Sequence, residues 1–104
     1  MKKRNKTVLC KDGFSMSVQA SSTHYCSPRI DNATQYSSVE IGFPSHPESL
    51  ITAYAEDSSS PTGTVYPYVP AHLVTLIITK HGGMDSGQVP SGVMVYDEVS
   101  QKRT

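Results

Sequence analysis

Histidine and cysteine are the residue types in this 104-residue chain with the widest chemical range. His24 and Cys26 stand two positions apart, a spacing that on a strand places both side chains on one face, where they could share a metal ion. Zinc sites usually combine a tighter cysteine pair with a second pair downstream, whereas this chain has one other cysteine, Cys10. The spacing favours a loop histidine beside a packed thiol, and we expect no metal and no cofactor.

Nucleophilic catalysis needs a serine or cysteine held against an imidazole that a third group orients. Cys10 alternates with Val8 in a strand-like pattern, which is typical of a small apolar core residue. No serine lies in a G-x-S-x-G elbow, and the sequence has neither a G-x-x-x-x-G-K-[ST] nor a G-x-G-x-x-G loop. His81 is explained by the end of a helix, where carbonyl oxygens favour a cation. We therefore expect free, non-catalytic thiols and a protein that is not an enzyme.

Tyrosines supply the most suggestive candidate surface. Tyr66 and Tyr68 flank Pro67 in an extended, proline-stiffened segment that would expose both rings on one side. Aromatic rings also stack nucleic-acid bases, but base-stacking proteins place them in a basic groove, and residues 31–79 contain no lysine or arginine. Because tyrosine is frequent among residues that dominate protein interfaces, the pattern indicates a protein-binding surface. The alternative is edge tyrosines that only close a thin core.

Charge is distributed unevenly, although the chain has nine basic and nine acidic residues. Only Arg29 and Lys80 are basic between Asp12 and Val99, a span that contains all nine acids. Such an acidic body would repel a phosphate backbone and attract a basic protein face. The acidic candidates in the stretch without bases are Asp31, Glu40, Glu48, Glu56 and Asp57. A solvated acidic surface is the alternative interpretation.

Targeting signals are not evident in the sequence. No apolar run approaches the roughly 18 to 20 residues that a membrane-spanning helix needs. The basic N-terminus is followed by alternating residues, where a secretory signal would be continuously apolar. We expect a cytoplasmic protein without a membrane partner, and the sequence leaves its oligomeric state open.

The elements that must position these side chains follow from the hydrophobic periodicity. Apolar and polar residues alternate on both sides of Asp12-Gly13, which predicts a β-hairpin closed by a type I′ turn. A third strand is expected over residues 35–43. The inward-facing positions of these three strands are Val8, Phe14, Met16, Val18, Val39, Ile41 and Phe43.

Later segments before the helix are shorter or less regular. The apolar stretch Leu50–Ala55 predicts a fourth strand, and residues 64–68 form an extended segment that Pro67 places at a sheet edge. Residues 21–34 and 56–63 are polar and lack a sustained period, so both are expected to be connections.

The clearest helix runs from Pro70 to His81 and ends at Gly82-Gly83, because proline is tolerated at a first helical position and glycine favours a C-terminal cap. Strands followed by one helix predict an α+β fold, an antiparallel sheet of about four strands with one C-terminal amphipathic helix packed on one face. The residues that this helix should bury are Leu73, Val74, Leu76, Ile77 and Ile78.

The segment after the helix is rich in glycine and proline. We expect one α+β domain over residues 1–84, a flexible linker over residues 85–91, and no more than a late edge strand involving residues 93–95 and Val99. Residues 85–104 as a whole are therefore predicted to be a flexible tail or a late edge strand.

Three stretches resemble small proteins carried by tailed phages and prophages: Val8–Ala20 (VLCKDGFSMSVQA), Ser38–Ser45 (SVEIGFPS) and Val65–Met84. The likeness covers about residues 6–84. Proteins of this size and source often resemble anti-defence factors, including anti-CRISPR proteins, which act as stoichiometric binders without an active site. The resemblance implies a non-enzymatic inhibitor of a bacterial nucleic-acid-dependent defence complex, acting in the host cytoplasm through an acidic, tyrosine-bearing surface.

The partner implied by this interpretation is the basic surface of a bacterial protein or ribonucleoprotein complex, without direct contact to nucleic acid. The protein-binding residues are then Asp31, Glu40, Glu48, Glu56, Asp57, Tyr66 and Tyr68. Other interpretations remain open: a structural or morphogenesis accessory of a phage, a small interaction module, or a metal-dependent enzyme.

Overall fold

A computed structural model describes residues 4–96 and contains five strands, one α-helix and one 3₁₀ helix. In chain order these are β1 (Val8–Cys10), β2 (Ser15–Gln19), β3 (Ser38–Gly42), the 3₁₀ helix (Ser49–Tyr54), β4 (Val65–Pro70), α1 (Ala71–Lys80) and β5 (Met84–Ser86). The predicted α+β class is confirmed. Residues 97–104 of the predicted tail, including Val99, lie outside the described residues.

The strands form one antiparallel sheet in the order β4-β3-β2-β1-β5. β4 lies at one edge, as expected of a strand that contains Pro67, which has no N–H to donate to a ladder. β5 lies at the other edge and pairs with β1, with Cys10 opposite Met84. The sheet thus has five strands rather than about four, and its last strand comes from the segment after α1.

The hairpin between β1 and β2 forms at Asp12-Gly13 as predicted, but its turn is not type I′. Gly13 has a φ of +98°, whereas Asp12 keeps a negative φ, and a type I′ turn needs positive values at both central positions. The Cys10 N–H donates to the Phe14 carbonyl at 2.8 Å, so the strands are joined by a three-residue connection that ends on a left-handed glycine.

The sheet and α1 bury one continuous apolar cluster. Every inward position predicted for the first three strands belongs to it except Phe43. Phe43 follows β3 in the left-handed conformation, with a φ of +50°, which rotates its ring out of the strand alternation and into solvent. The predicted burial of Phe43 is therefore wrong. Strand β3 ends at Gly42, so the alternation that would bury position 43 does not continue.

The helix lies where the sequence predicts it, within one residue at each end. Pro70 is the last residue of β4 and caps α1, and His81 caps the other end. Gly82 takes a φ of +92°, the left-handed conformation expected of a residue that ends a helix.

The buried face of α1 is narrower than predicted. Val74, Ile77 and Ile78 are buried, and Leu73 is partly buried. At about 100° per residue, Leu76 lies roughly 200° from Val74 and therefore on the opposite side of the helix. Leu76 is 49 % exposed, so its predicted burial is wrong.

The predicted fourth strand over Leu50–Ala55 is instead the 3₁₀ helix. Glu48 caps its first turn, because one carboxylate oxygen accepts the Leu50 N–H at 3.0 Å. Ile51 is the residue of this helix that the core buries. A short apolar run has no period that distinguishes a strand from a helix. Here the Glu48 side chain stabilises the helical form by capping its first turn.

The segment after Met84 packs on the sheet. A late edge strand forms, but as β5 at Met84–Ser86 rather than at the predicted residues 93–95. Beyond β5, the Gln88 N–H donates to the Lys6 carbonyl at 3.1 Å, and Pro90 and Val93 are buried. Gly87, with a φ of +113°, passes so close to the backbone of Thr7 and Val8 that a Cβ atom would overlap it. Glycine at position 87 therefore allows the two backbone segments to pack closely.

Candidate functional site

The ladder between β3 and β4 is interrupted at Tyr68. The register shifts between Val39 and Ile41, so Glu40 faces two residues of β4, Pro67 and Tyr68. Such a β-bulge redirects one side chain of the strand. Tyr68 takes a φ of +53°, which is uncommon for a bulky residue, and its ring is 47 % exposed.

A second tyrosine from the connection between β2 and β3 lies against the bulge. The Tyr68 N–H donates to the Tyr25 carbonyl at 3.1 Å, and the Tyr25 N–H donates to Glu40 Oε1 at 2.9 Å. The centroids of the two rings are 6.0 Å apart with the planes tilted by 48°. Both backbones are thereby fixed while Tyr25 remains 38 % exposed.

Arg29 completes this arrangement. Its guanidinium carbon lies 5.1 Å from the centroid of the Tyr25 ring, a cation–π distance, and the side chain is exposed. We call Tyr25, Arg29, Glu40 and Tyr68 the aromatic surface. The sequence predicted Tyr68 and Glu40 as binding residues. It did not predict Tyr25 and Arg29, because only the fold brings residues 25 and 68 together.

Tyr66, predicted to share an exposed side with Tyr68, is buried. It is 1 % exposed, and its hydroxyl donates to the Pro61 carbonyl at 2.5 Å. Burial raises the pKa of this phenol. The prediction assumed regular alternation, and the bulge at Tyr68 reverses it, so the two rings point to opposite sides.

Glu48, also predicted to be on the binding surface, is 3 % exposed and forms ion pairs. Its two oxygens lie 2.7 Å from Lys80 Nζ and 2.7 Å from His81 Nε2. Burial alone would raise the pKa of Glu48, but the hydrogen bonds from Lys80 and His81 outweigh it and lower that pKa. Glu48 is thus a structural residue, and its assignment to the surface is corrected.

Of the remaining predicted acids, Asp31, Glu56 and Asp57 are exposed, whereas Glu40 is half-buried. Asp31 accepts the Ser22 N–H at 2.9 Å within the connection that carries Tyr25. Asp57 accepts two hydrogen bonds from Ser59, which lower its pKa and order the loop before β4. The Glu56 N–H donates to Val65 at the start of β4, roughly 10 Å along the strand from Tyr68. Glu40 is the predicted acid that contacts Tyr25, through the Tyr25 N–H.

His81 forms the most strongly paired charge cluster of residues 4–96. Its Nδ1 lies 2.6 Å from Asp12 Oδ2, its Nε2 contacts Glu48, and its ring stacks on Phe14 with centroids 4.1 Å apart. Burial alone would lower the pKa of His81, but the two carboxylates outweigh burial and raise it. Both ring nitrogens are engaged, so the His81 side chain joins the hairpin turn, the 3₁₀ helix and the end of α1.

A polar cavity of about 630 Å³ contains a serine–histidine pair that the sequence analysis did not identify. Ser21 Oγ lies 2.7 Å from His24 Nδ1. The same oxygen accepts the Thr23 N–H at 3.1 Å, and Ser21 is buried. These contacts form a side-chain-closed turn. The signal available in the sequence was the Ser-x-x-His spacing.

Both cysteines are free and buried, and burial favours the protonated thiol. Burial, with a smaller effect of Asp12, raises the pKa of Cys10 to about 11. Burial also raises the pKa of Cys26, whose thiol donates to the Ser21 carbonyl at 3.2 Å. A protonated thiol is a poor nucleophile and a poor metal ligand. Across residues 4–96 no three metal-ligating side chains converge on a common point.

Within the part of the chain that the structure describes, no helix is long and apolar enough to cross a membrane. The fold and the aromatic surface define a small α+β domain with two tyrosines fixed at a sheet edge. No protein-family model, curated protein or solved structure matches the chain.

Proposed function

We propose that this chain is a non-enzymatic protein-binding domain and that its partner docks on the aromatic surface. The observation that carries the proposal is the pair Tyr25 and Tyr68, which are partly exposed, in contact with each other, and fixed through their backbones. Tyrosine and arginine are enriched among residues that dominate binding energy, and Arg29 lies on the same surface.

The fixed backbone favours binding because little conformational entropy is lost when a partner arrives. A left-handed conformation at a residue other than glycine costs about 1 to 2 kcal/mol. Tyr68 holds that conformation at an exposed position where burial of its own ring offers little compensation. Strain retained at an exposed aromatic residue is typical of functional sites.

The charge of the domain favours a basic protein as the partner. From Asp12 to Tyr96 the chain has seven acids and two bases, Arg29 and Lys80, and Lys80 is paired with the buried Glu48. A basic face would be attracted over most of this surface, whereas a nucleic-acid backbone would be repelled.

Together with the resemblance to small phage proteins, these features support an inhibitor of a bacterial nucleic-acid-dependent defence complex, acting in the host cytoplasm. Such complexes hold nucleic acid in positively charged channels. An acidic domain bound at the channel would exclude the nucleic acid without a cofactor and without catalysis. A phage structural accessory remains the alternative use of the same surface.

The proposal is tested with Tyr68→Ala and a matched control, Leu76→Ala, which removes an exposed apolar side chain from α1 outside the aromatic surface. Each variant would be used as immobilised bait for bacterial lysates. The same variants would be expressed in a bacterium that carries an RNA-guided defence complex, and phage plating would be counted.

The wild-type chain and Leu76→Ala are expected to capture one stoichiometric partner and to restore phage plating, whereas Tyr68→Ala does neither. Capture that is unaffected by Tyr68→Ala would contradict the aromatic surface. Capture of phage head or tail proteins, with no effect on plating, would favour the structural accessory over the inhibitor.

A further inference from the structure

We infer that the aromatic surface recognises a proline-rich segment in the polyproline II conformation that carries one basic residue at its end. This inference rests on the proposed protein-binding function and names the chemistry of the bound segment. Proline-rich segments are recognised by grooves lined with aromatic side chains, and the preformed helix loses little entropy on binding.

The geometry of the tyrosine pair suits this ligand. The rings of Tyr25 and Tyr68 have centroids 6.0 Å apart, are tilted by 48° rather than stacked face to face, and are both partly exposed, so the two ring planes form a V. A pyrrolidine ring is a compact apolar body of the kind that packs against such a pair of aromatic rings. The fixed backbones of both tyrosines and the guanidinium of Arg29 over the Tyr25 ring keep the V in place.

The tyrosine hydroxyls supply the polar part of the recognition. Among residues 4–96 neither the Tyr25 nor the Tyr68 hydroxyl has a hydrogen-bond partner, in contrast to the buried Tyr66 and Tyr36 hydroxyls. A polyproline II helix makes no internal hydrogen bonds, so its carbonyl oxygens are available as acceptors. Two phenol donors beside an apolar V therefore match the alternation of ring and carbonyl along such a segment.

Charge sets the direction of the bound segment. Glu40 Oε1 accepts the Tyr25 N–H, while Oε2 has no partner within the described part of the chain. A lysine or arginine at one end of the segment would pair with Oε2. Arg29 would repel that basic residue, so the basic end of the segment is expected beside Glu40 rather than beside Arg29.

The test uses fluorescence anisotropy with labelled peptides and the full chain. The probe is RPPLPPLPG. One control peptide has glutamate in place of its arginine, and another has alanine in place of every proline. We expect the probe to bind, the glutamate peptide to bind roughly tenfold more weakly, and the alanine peptide not to bind.

Three variants separate the contributions of ring, charge and folding. Tyr68→Gly removes the ring and also relieves the positive φ, so it is expected to fold and to lose at least about tenfold in affinity. Glu40→Gln should weaken the arginine probe toward the affinity of an uncharged proline peptide. Leu76→Ala should bind like the wild type.

The outcomes distinguish this inference from the proposed function. If no proline-rich peptide binds, while capture of a protein partner still depends on Tyr68, the inference is overturned and the protein-binding function stands. If a labelled oligo(dT) binds in competition with the probe, the assignment to a proline-rich segment is also overturned. Equal binding of the alanine peptide would show adhesion to any extended chain and would have the same consequence.

Discussion

At the scale of single residues, the protonation of His81 is coupled to folding. The His81 ring lies between the carboxylates of Asp12 and Glu48, and the Glu48 side chain is buried. Its pKa is raised above 6.5, whereas the pKa values of Asp12 and Glu48 are lowered from 3.8 and 4.5. The charged forms of all three groups are thus favoured by folding.

This pattern predicts a defined pH dependence of the free energy of unfolding. A raised histidine pKa contributes stability fully below pH 6.5, and this stability is lost as the pH rises through the raised value. A lowered carboxylate pKa contributes stability fully above pH 4.5, and this stability is lost as the pH falls through the lowered value. Urea melts are therefore expected to show greatest stability between about pH 4.5 and 6.5.

His81→Gln isolates the contribution of the imidazolium. The variant keeps a hydrogen-bonding side chain but cannot titrate, so the decline in stability above pH 6.5 should become shallower. His72→Gln, which replaces an exposed histidine on α1 outside this cluster, is the matched control. If both variants keep the wild-type alkaline decline, the assignment of that decline to His81 is wrong.

At the scale of elements, α1 shows how strongly one helix distinguishes its two sides. Leu76 and Ile77 are neighbours in sequence, yet Ile77 is buried in the core and Leu76 is half exposed. A 100° step per residue is enough to separate adjacent positions onto different faces. The amphipathic stripe that holds α1 to the sheet therefore has Val74, Ile77 and Ile78 at its centre.

Alanine substitution should reproduce this asymmetry. Ile77→Ala is expected to lower the free energy of unfolding by about 2 to 5 kcal/mol, because it leaves a cavity in a packed core. Leu76→Ala should cost about 0.5 kcal/mol or less, because half of that side chain already contacts water. Chemical denaturation of both variants measures the difference, and similar losses would contradict the described orientation of α1.

At the scale of the whole molecule, charge and aromatic contacts act on different steps of the proposed binding. Asp31 lies in one loop, and Glu56 and Asp57 lie in another, so these acids are suited to attraction at a distance rather than to one shared contact. In the proposed complex, the aromatic surface makes the short-range contacts. The domain should therefore find its partner through charge and retain it through Tyr25 and Tyr68.

Association kinetics test this division. Glu56→Lys combined with Asp57→Lys should slow association with the captured partner and leave dissociation nearly unchanged, because both residues are exposed in a loop. Raising salt toward 1 M, where the screening length is about 3 Å, should have the same effect on the wild type. Surface plasmon resonance would contradict this view if the on-rate of the wild type were independent of salt.

Local patterns in the sequence were sufficient for much of the fold. Alternation around Asp12-Gly13, the proline at position 70 and the glycines after His81 each act within a few residues of themselves. For this reason the hairpin, the inward faces of β1 to β3, the edge position of β4 and the bounds of α1 were all predicted. The α+β class follows from these elements and their order.

Tertiary structure decided the features that depend on distant partners. Glu48 is one of several acids in the sequence, and only the approach of Lys80 and His81, more than thirty positions away, makes it a buried ion-pair partner. The bulge that exposes Tyr68 exists because β3 and β4 meet out of register. The register depends on both strands, so the hydrophobic pattern of either strand alone does not determine it.

The aromatic surface combines both kinds of information. Tyrosine at position 68 beside a proline was visible in the sequence, and it indicated an exposed ring at a sheet edge. That Tyr25, rather than Tyr66, is its neighbour follows only from the folding of the connection between β2 and β3 against β4. Local propensity therefore determined which elements form, whereas long-range pairing determined which side chains share a surface, because side-chain contacts across elements depend on the positions of both backbones.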